Sequence, residues 1–204
     1  VGARHLQLGE RVAIKFPVTS LGSASGQIAA RLVREGQAAM RIRSQHVARV
    51  FDVGTLETGE PFLVMEYLLG RDLEAVVHER GPLPVDVAVE YVLQAIEALA
   101  EAHALDIVHR DLKPSNLFLC SHADGSPVVK VIDFGISKSA RPNAEPVLTT
   151  SSGAIGTPLY MAPEQMVSSR PIDARCDVWA LGATLHALLT GKPPFAARTL
   201  VEIH

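Results

Sequence analysis

Cysteine is scarce in this sequence. Only Cys120 and Cys176 occur among 204 residues, too few for a disulfide framework and without the spacing of a metal-ligand set. They read as buried or free thiols in a reducing compartment. An excess of positive charge is lacking too. Nineteen Lys and Arg stand against 22 Asp and Glu, a formal charge of −3, so there is no basic footprint for nucleic acid or for an anionic membrane surface. Long apolar runs are missing. The longest candidate, 178–189, is interrupted by Gly182, Thr184 and His186. It falls short of the ~20 residues that span a bilayer and reads as a buried core helix. No segment has the form of a secretory signal, and there is no internal repeat or low-complexity tail. What remains is 48% hydrophobic and 20% charged. That composition excludes disorder, collagen-like repeats and coiled coil, and leaves a globular chain of about one domain.

The first third is strand-rich. Arg11 to Phe16 alternates charged and apolar residues and stops at Pro17, which predicts a strand, preceded by a hairpin turn at Leu8-Gly9-Glu10. Residues 22–26 form a small-residue loop, and Ile28, Leu32, Ala39 and Ile42 predict a helix over 27–43. Strands are expected at 47–53 and 61–67, with a turn at 55–60. After Gly70 the character changes. Asp72 caps a short helix towards Glu79, and Pro84 opens a long helix over 85–104 with Val89, Val92, Ile96, Leu99 and His103 on one face. Short strands are expected at 107–108, 117–120 and 128–132. Residues 137–156 are Ser/Thr/Ala/Pro-rich and aperiodic, which reads as a long functional loop. A helix follows over 177–189. The expected architecture is α+β: a small antiparallel-sheet lobe with one helix over 1–68, then a mainly helical lobe over 69–204. Between them lies a hinge at 66–70 and a cleft suited to a ligand.

The densest chemistry lies in His109-Arg110-Asp111-Leu112-Lys113-Pro114-Ser115-Asn116. A carboxylate, an ammonium and an amide fall within six residues, Asp111 to Asn116. A carboxylate can orient a hydroxyl and accept its proton. An ammonium can neutralise a transferring phosphoryl group, and an amide oxygen can ligate magnesium. Asp133-Phe134-Gly135 places another carboxylate at a strand end, and Lys15 with Glu35 offers a cation held by a carboxylate. Singly, these residues have plainer readings. Lys15 alone is a solvated strand lysine, Glu35 a surface helix charge, and the loop hydroxyls merely hydrated. His109 reads as a packed, hydrogen-bonded core histidine, and Phe134 and Trp179 as core residues.

Taken together and in order, the motifs resemble those of eukaryotic-type protein kinases. Val12-Ala13-Ile14-Lys15 stands for the strand motif, His109 to Asn116 for the catalytic loop and Asp133-Phe134-Gly135 for the metal motif. Ala162-Pro163-Glu164 closes an activation segment, and Asp177 to Gly182 resembles the helix under the catalytic loop, which implies that Asp177 is a buried acceptor for the loop amides. Lys113 and Gly156-Thr157-Pro158 resemble serine/threonine kinases rather than tyrosine kinases, and the overall style, with Tyr160-Met161-Ala162-Pro163-Glu164-Gln165, is similar to bacterial serine/threonine kinases.

The resemblance implies the two-lobed kinase fold and transfer of the ATP γ-phosphoryl group to Ser or Thr of protein substrates. Asp111 would orient the hydroxyl, Lys113 would stabilise the migrating group, and Asn116 and Asp133 would hold magnesium, with manganese as the alternative ion. Lys15, fixed by Glu35, would grip the α- and β-phosphates. Met65 would guard the back of the adenine pocket, Glu66 and Leu68 would offer hinge backbone groups, Ala13 would roof the base and Phe118 would lie beneath it. Asp72 would reach the ribose or a basic substrate side chain. Val50, Ala39, His109 and Phe134 would stack into a regulatory column. Arg110 would pair with an autophosphorylated Thr149 or Ser151, and Thr157 would help select the acceptor. The chain would act in the cytoplasm without membrane or nucleic-acid contact, although a longer parent could be anchored elsewhere. The Gly-rich loop and the last large-lobe helices of the resemblance have no counterpart here, so the chain reads as a partial, weakly stable kinase domain. A scaffold without turnover and a small-molecule kinase are the competing readings. The intact catalytic set opposes the first and the Ala-Pro-Glu segment opposes the second.

Overall fold

The computed structural model describes residues 1–6, 9–16, 33–34, 36–134, 158–166 and 172–195. Strands β1 (Gly2–Arg4), β2 (Arg11–Lys15), β3 (Val50–Thr55) and β4 (Pro61–Glu66) form an antiparallel sheet in the order β1-β2-β4-β3. The expected hairpin joins β1 to β2. Gly9 takes φ 69° and donates its N–H to His5 O at 2.8 Å. Of the helix expected over 27–43, residues 33–34 and 36–39 are helical and a turn begins at 40. Residues 27–32 and Glu35 lie outside the described residues, as do Leu8 and the small-residue loop.

The strand expected from Val47 starts at Val50 instead. Val47 makes an isolated parallel bridge with Val131. Ala48 N donates to Val131 O and Val131 N to His46 O, at 3.0 and 2.8 Å. Segment 46–48 is thus spent on covering the edge of the second sheet, where Val47 and Ala48 are buried. That sheet is antiparallel, in the order β5 (Arg71–Asp72), β6 (Leu117–Ser121), β7 (Pro127–Val131). Gly70 leads into it with φ 152°, and a Cβ there would lie 2.0 Å from Leu119 O. Only glycine fits where the chain leaves the first sheet for the second.

Four helices complete the described chain: α1 (Leu73–Arg80), α2 (Val85–Ala104), α3 (Pro163–Met166) and α4 (Arg175–Thr190). Asp72 caps α1 as expected, its carboxylate accepting Ala75 N–H at 2.8 Å. The strand expected at 107–108 does not form. Ile107 N folds back onto Ala102 O at 2.9 Å, so this apolar pair closes the end of α2 rather than extending.

Helix α2 buries Ala88, Tyr91, Val92, Ala95, Ala98, Leu99 and Ala102. Val89 and Ile96, expected on the inner face, are 39% and 42% exposed. The inner face is the alanine-rich one, because small side chains let α2 pack closely against β7 and α4. Helix α4 likewise turns Cys176, Asp177, Ala180, Leu181, Thr184 and Leu188 inward. Trp179, expected in the core, is 40% exposed and stacks on Phe195 at 5.6 Å. Phe134 is buried as expected. Thr184 is fully buried, and its hydroxyl has no hydrogen-bond partner among the described residues. Thr184→Val keeps the shape and removes the desolvated hydroxyl, so it stabilises the chain by about 1 kcal/mol and raises Tm by roughly 2–4 °C in a thermal melt.

Candidate active site

The chain between α2 and β6 is held from below by one carboxylate. Asp177, on the first turn of α4, is fully buried. Its Oδ2 accepts His109 N–H and its Oδ1 accepts Arg110 N–H, both at 2.8 Å. This is the buried-acceptor arrangement expected for Asp177. Arg110 takes the left-handed conformation, φ 66°, which for a non-glycine residue persists only when the surroundings hold it. The carboxylate supplies that hold directly before Asp111.

His109 is fully buried. Its Nε2 faces Ile132 O at 2.9 Å, and its Nδ1 accepts Asp111 N–H at 3.2 Å. Those partners require a neutral ring with the hydrogen on Nε2. Burial pushes its pKa below the ordinary histidine value, the carbonyl of Ile132 and nearby carboxylates opposing the shift. The Phe134 ring meets it edge-on at 4.9 Å. Of the other residues expected in that column, Ala39 is buried and Val50 half-buried.

Asn116 is buried. Its amide donates to Asp111 O at 2.6 Å and lies 3.4 Å from Asp111 Oδ2. Its backbone O accepts Ile132 N–H at 3.0 Å. One residue along, Asp133 (φ 64°) meets Lys15 from β2, Nζ to Oδ1 at 2.6 Å. Lys113 Nζ is 3.5 Å from Asp111 Oδ2. Asp111, Lys113, Asn116, Asp133 and Lys15 are therefore gathered from three parts of the chain. Lys15 was expected against Glu35; the partner found here is Asp133, and Glu35 lies outside the described residues. Thr149, Ser151 and Thr157 lie outside them as well.

On the nucleotide side of the resemblance, Ala13 and Met65 are directly paired across β2 and β4. Phe118 pairs with Asp72 across β5 and β6. Asp72 spends its carboxylate on the α1 cap. Glu66 turns its side chain to Lys130, 3.0 Å away, and accepts Arg49 N–H at 3.2 Å. Leu68 and Glu66 border a cavity of about 390 Å³ closed by Cys120, Val128 and Lys130. Ala13, Met65, Phe118 and Asp133 do not line that cavity, so it meets the expected adenine side only at the hinge residues Glu66 and Leu68.

Sequence reasoning missed three contacts. Lys130 grips Glu66. Gln165, one residue after Ala162-Pro163-Glu164, donates to Arg110 O at 2.8 Å and accepts Ala162 N–H at 3.0 Å. His103 Nε2 reaches Asp177 Oδ2 at 2.8 Å. Only His103 had a signal, its position among apolar residues on one helix face. Cys120 and Cys176 are free and buried. Burial, with Asp177 beside it, pushes the Cys176 thiol up to about 12, which disfavours the thiolate.

Among the described residues no three His, Cys, Asp or Glu side chains converge as a metal site. The donors present suit magnesium nonetheless. That ion takes one or two protein oxygens beside water and phosphate oxygens. Asn116 commits its amide nitrogen to Asp111, leaving Oδ1 for a cation, and Asp133 supplies a carboxylate one residue beyond the Ile132–Asn116 link.

The protein kinase domain family matches residues 1–203. The chain belongs to that family. The kinase domain has the two-lobed α+β fold expected from its motifs. It is 38% identical over 200 residues to the serine/threonine-protein kinase pkn3 of Myxococcus xanthus, covering 98% of this chain and 36% of pkn3. It is 36% identical over 204 residues to PknB of Mycobacterium leprae, covering 98% of this chain and 32% of PknB. It is 40% identical over 191 residues to Pkn1 of Myxococcus xanthus, covering 94% of this chain and 27% of Pkn1. The chain thus spans about a third of the length of these curated relatives. No helix among the described residues is long and apolar enough to cross a membrane.

Proposed function

We propose that this kinase domain transfers the γ-phosphoryl group of ATP to serine or threonine hydroxyls of protein substrates. The observation that carries the reading is the loop pinned by Asp177, which sets Asp111 beside Lys113 and Asn116. The reaction has a loose, charge-rich transition state, so positioning and electrostatics supply most of the rate. The bond from Pγ to the β,γ-bridging oxygen breaks and the bond from the substrate oxygen to Pγ forms. Asp111 orients that hydroxyl and accepts its proton. Lys113 neutralises charge on the moving group. Lys15, whose ammonium lies against Asp133, holds the α- and β-phosphates. Asn116 Oδ1 and Asp133 hold magnesium, which neutralises phosphate charge when bound; manganese is the alternative ion. Ala13, Met65, Phe118 and the backbone of Glu66 and Leu68 enclose adenine. Asp72, which caps α1, also faces the ribose or a basic substrate residue.

In this reading Arg110 pairs with a phosphate on Thr149 or Ser151, and Thr157 favours a hydroxyl acceptor. The relatives named above are serine/threonine kinases by name, which supports the choice of acceptor and of protein substrates. A cytoplasmic setting fits a domain that uses ATP.

The test is incubation with [γ-32P]ATP and magnesium. Label on protein is expected, and Lys15→Met lowers it by about 10²-fold or more, as loss of a phosphate clamp does. Label on small molecules alone, or ATP binding with no label, overturns the reading.

A further inference from the structure

The short helix α3 begins with half of a capping box. Ala162 precedes it, Pro163 fills its first position and Gln165 its third. Gln165 Oε1 accepts Ala162 N–H at 3.0 Å, and Gln165 N–H donates to Ala162 O at 2.9 Å. A backbone N–H needs an acceptor, so the amide oxygen of Gln165 is fixed on that side and its nitrogen on the other. That nitrogen donates to Arg110 O at 2.8 Å, 55 residues away in the chain. One half-buried side chain therefore both starts α3 and reaches the loop that carries Asp111. Leu112, Tyr160 and Met161 line the same small pocket as these groups.

The contact falls on a single peptide unit. Arg110 O and Asp111 N belong to one planar group. Gln165 holds its oxygen, and His109 Nδ1 accepts its N–H at 3.2 Å. With both ends held, the plane resists turning, and the direction of the Asp111 side chain follows from the plane. We infer that Gln165 is a positioning residue for phosphoryl transfer: it ties segment 160–166 to the Arg110–Asp111 peptide and so aims the Asp111 carboxylate. A shift of that segment pulls on the same oxygen, so the seating of the segment and the aim of Asp111 change together. None of these contacts involves Lys15, Ala13 or Met65, so ATP affinity does not depend on them. The inference rests on the catalytic reading of Asp111 proposed above.

The test compares Gln165→Glu with Gln165→Met in the purified protein. Glutamate keeps an acceptor for Ala162 N–H and suits the start of a helix, but it sets an oxygen against Arg110 O. Methionine keeps the length and gives up both bonds. In Q165E and Q165M alike, kcat falls about tenfold and KM for ATP stays within about twofold, the size expected for one lost hydrogen bond. Q165E melts within about 2 °C of wild type. Hydrogen exchange at the Asp111 amide speeds up in both variants, while the amides of α4 exchange as in wild type. Wild-type kcat or wild-type exchange in Q165E overturns the inference, because Gln165 then serves only to start α3. So does faster exchange that extends to α4, because the variants then loosen the fold rather than the peptide. A wild-type protein without phosphotransfer refutes the proposed function instead, and exchange at the Asp111 amide still decides whether Gln165 holds the peptide.

Discussion

Asp111→Asn lowers kcat by about 10²–10⁴-fold and leaves ATP affinity within about twofold. The asymmetry follows from where the groups sit. Asn116 bonds the backbone oxygen of Asp111, and Asp111 N bonds His109 Nδ1; both contacts survive the substitution. Asparagine keeps the shape of the side chain and loses the oxygen able to take a proton. In the proposed reading the nucleotide contacts come from β2, β4 and the hinge after it, Phe118 of β6 and Asp133 after β7, and not from the exchanged atom. Steady-state kinetics beside calorimetric ATP binding separate the two effects. Unchanged turnover in this variant removes Asp111 from the reaction.

Asp177→Ala is the second large effect, and it acts on the fold. The substitution strands the His109 and Arg110 amides without the acceptor they share and takes away the partner of His103. A buried donor left unsatisfied costs about 1–3 kcal/mol. Removing one partner of a buried charged cluster costs about 3–5 kcal/mol in all, so Tm falls by roughly 10 °C for a chain of this size. Arg110, no longer held, relaxes from φ 66°, so turnover falls as well. A melt within 2 °C or so of wild type would show that the bracket is not what holds the loop.

The catalytic loop was readable because its groups are neighbours in the chain. Asp111, Lys113 and Asn116 need only a turn to converge, and the short helical turn Pro114–Asn116 provides it. Asp177 was readable as a support only through the family's motif. The 74-residue separation of His103 from Asp177 carries no periodic trace, and neither does Lys130 with Glu66. The errors share a cause. Apolar periodicity finds a helix but does not say which face is covered. On α2 the alanines face inward, and Val89 and Ile96 do not. On α4 the face carrying Asp177 goes inward and Trp179 goes out. At Val47 an apolar residue fit for the first sheet was taken by the second, because the exposed edge of β7 needed hydrogen-bond partners.

Phosphotransfer through Asp111 is tested most directly by phosphoamino-acid analysis of protein labelled from [γ-32P]ATP, with wild type and Asp111→Asn run side by side. Phosphoserine or phosphothreonine with the wild type, and neither with the variant, is the expected result. Equal label in the two proteins, or wild-type protein that binds ATP and magnesium yet leaves every serine and threonine unlabelled, contradicts it.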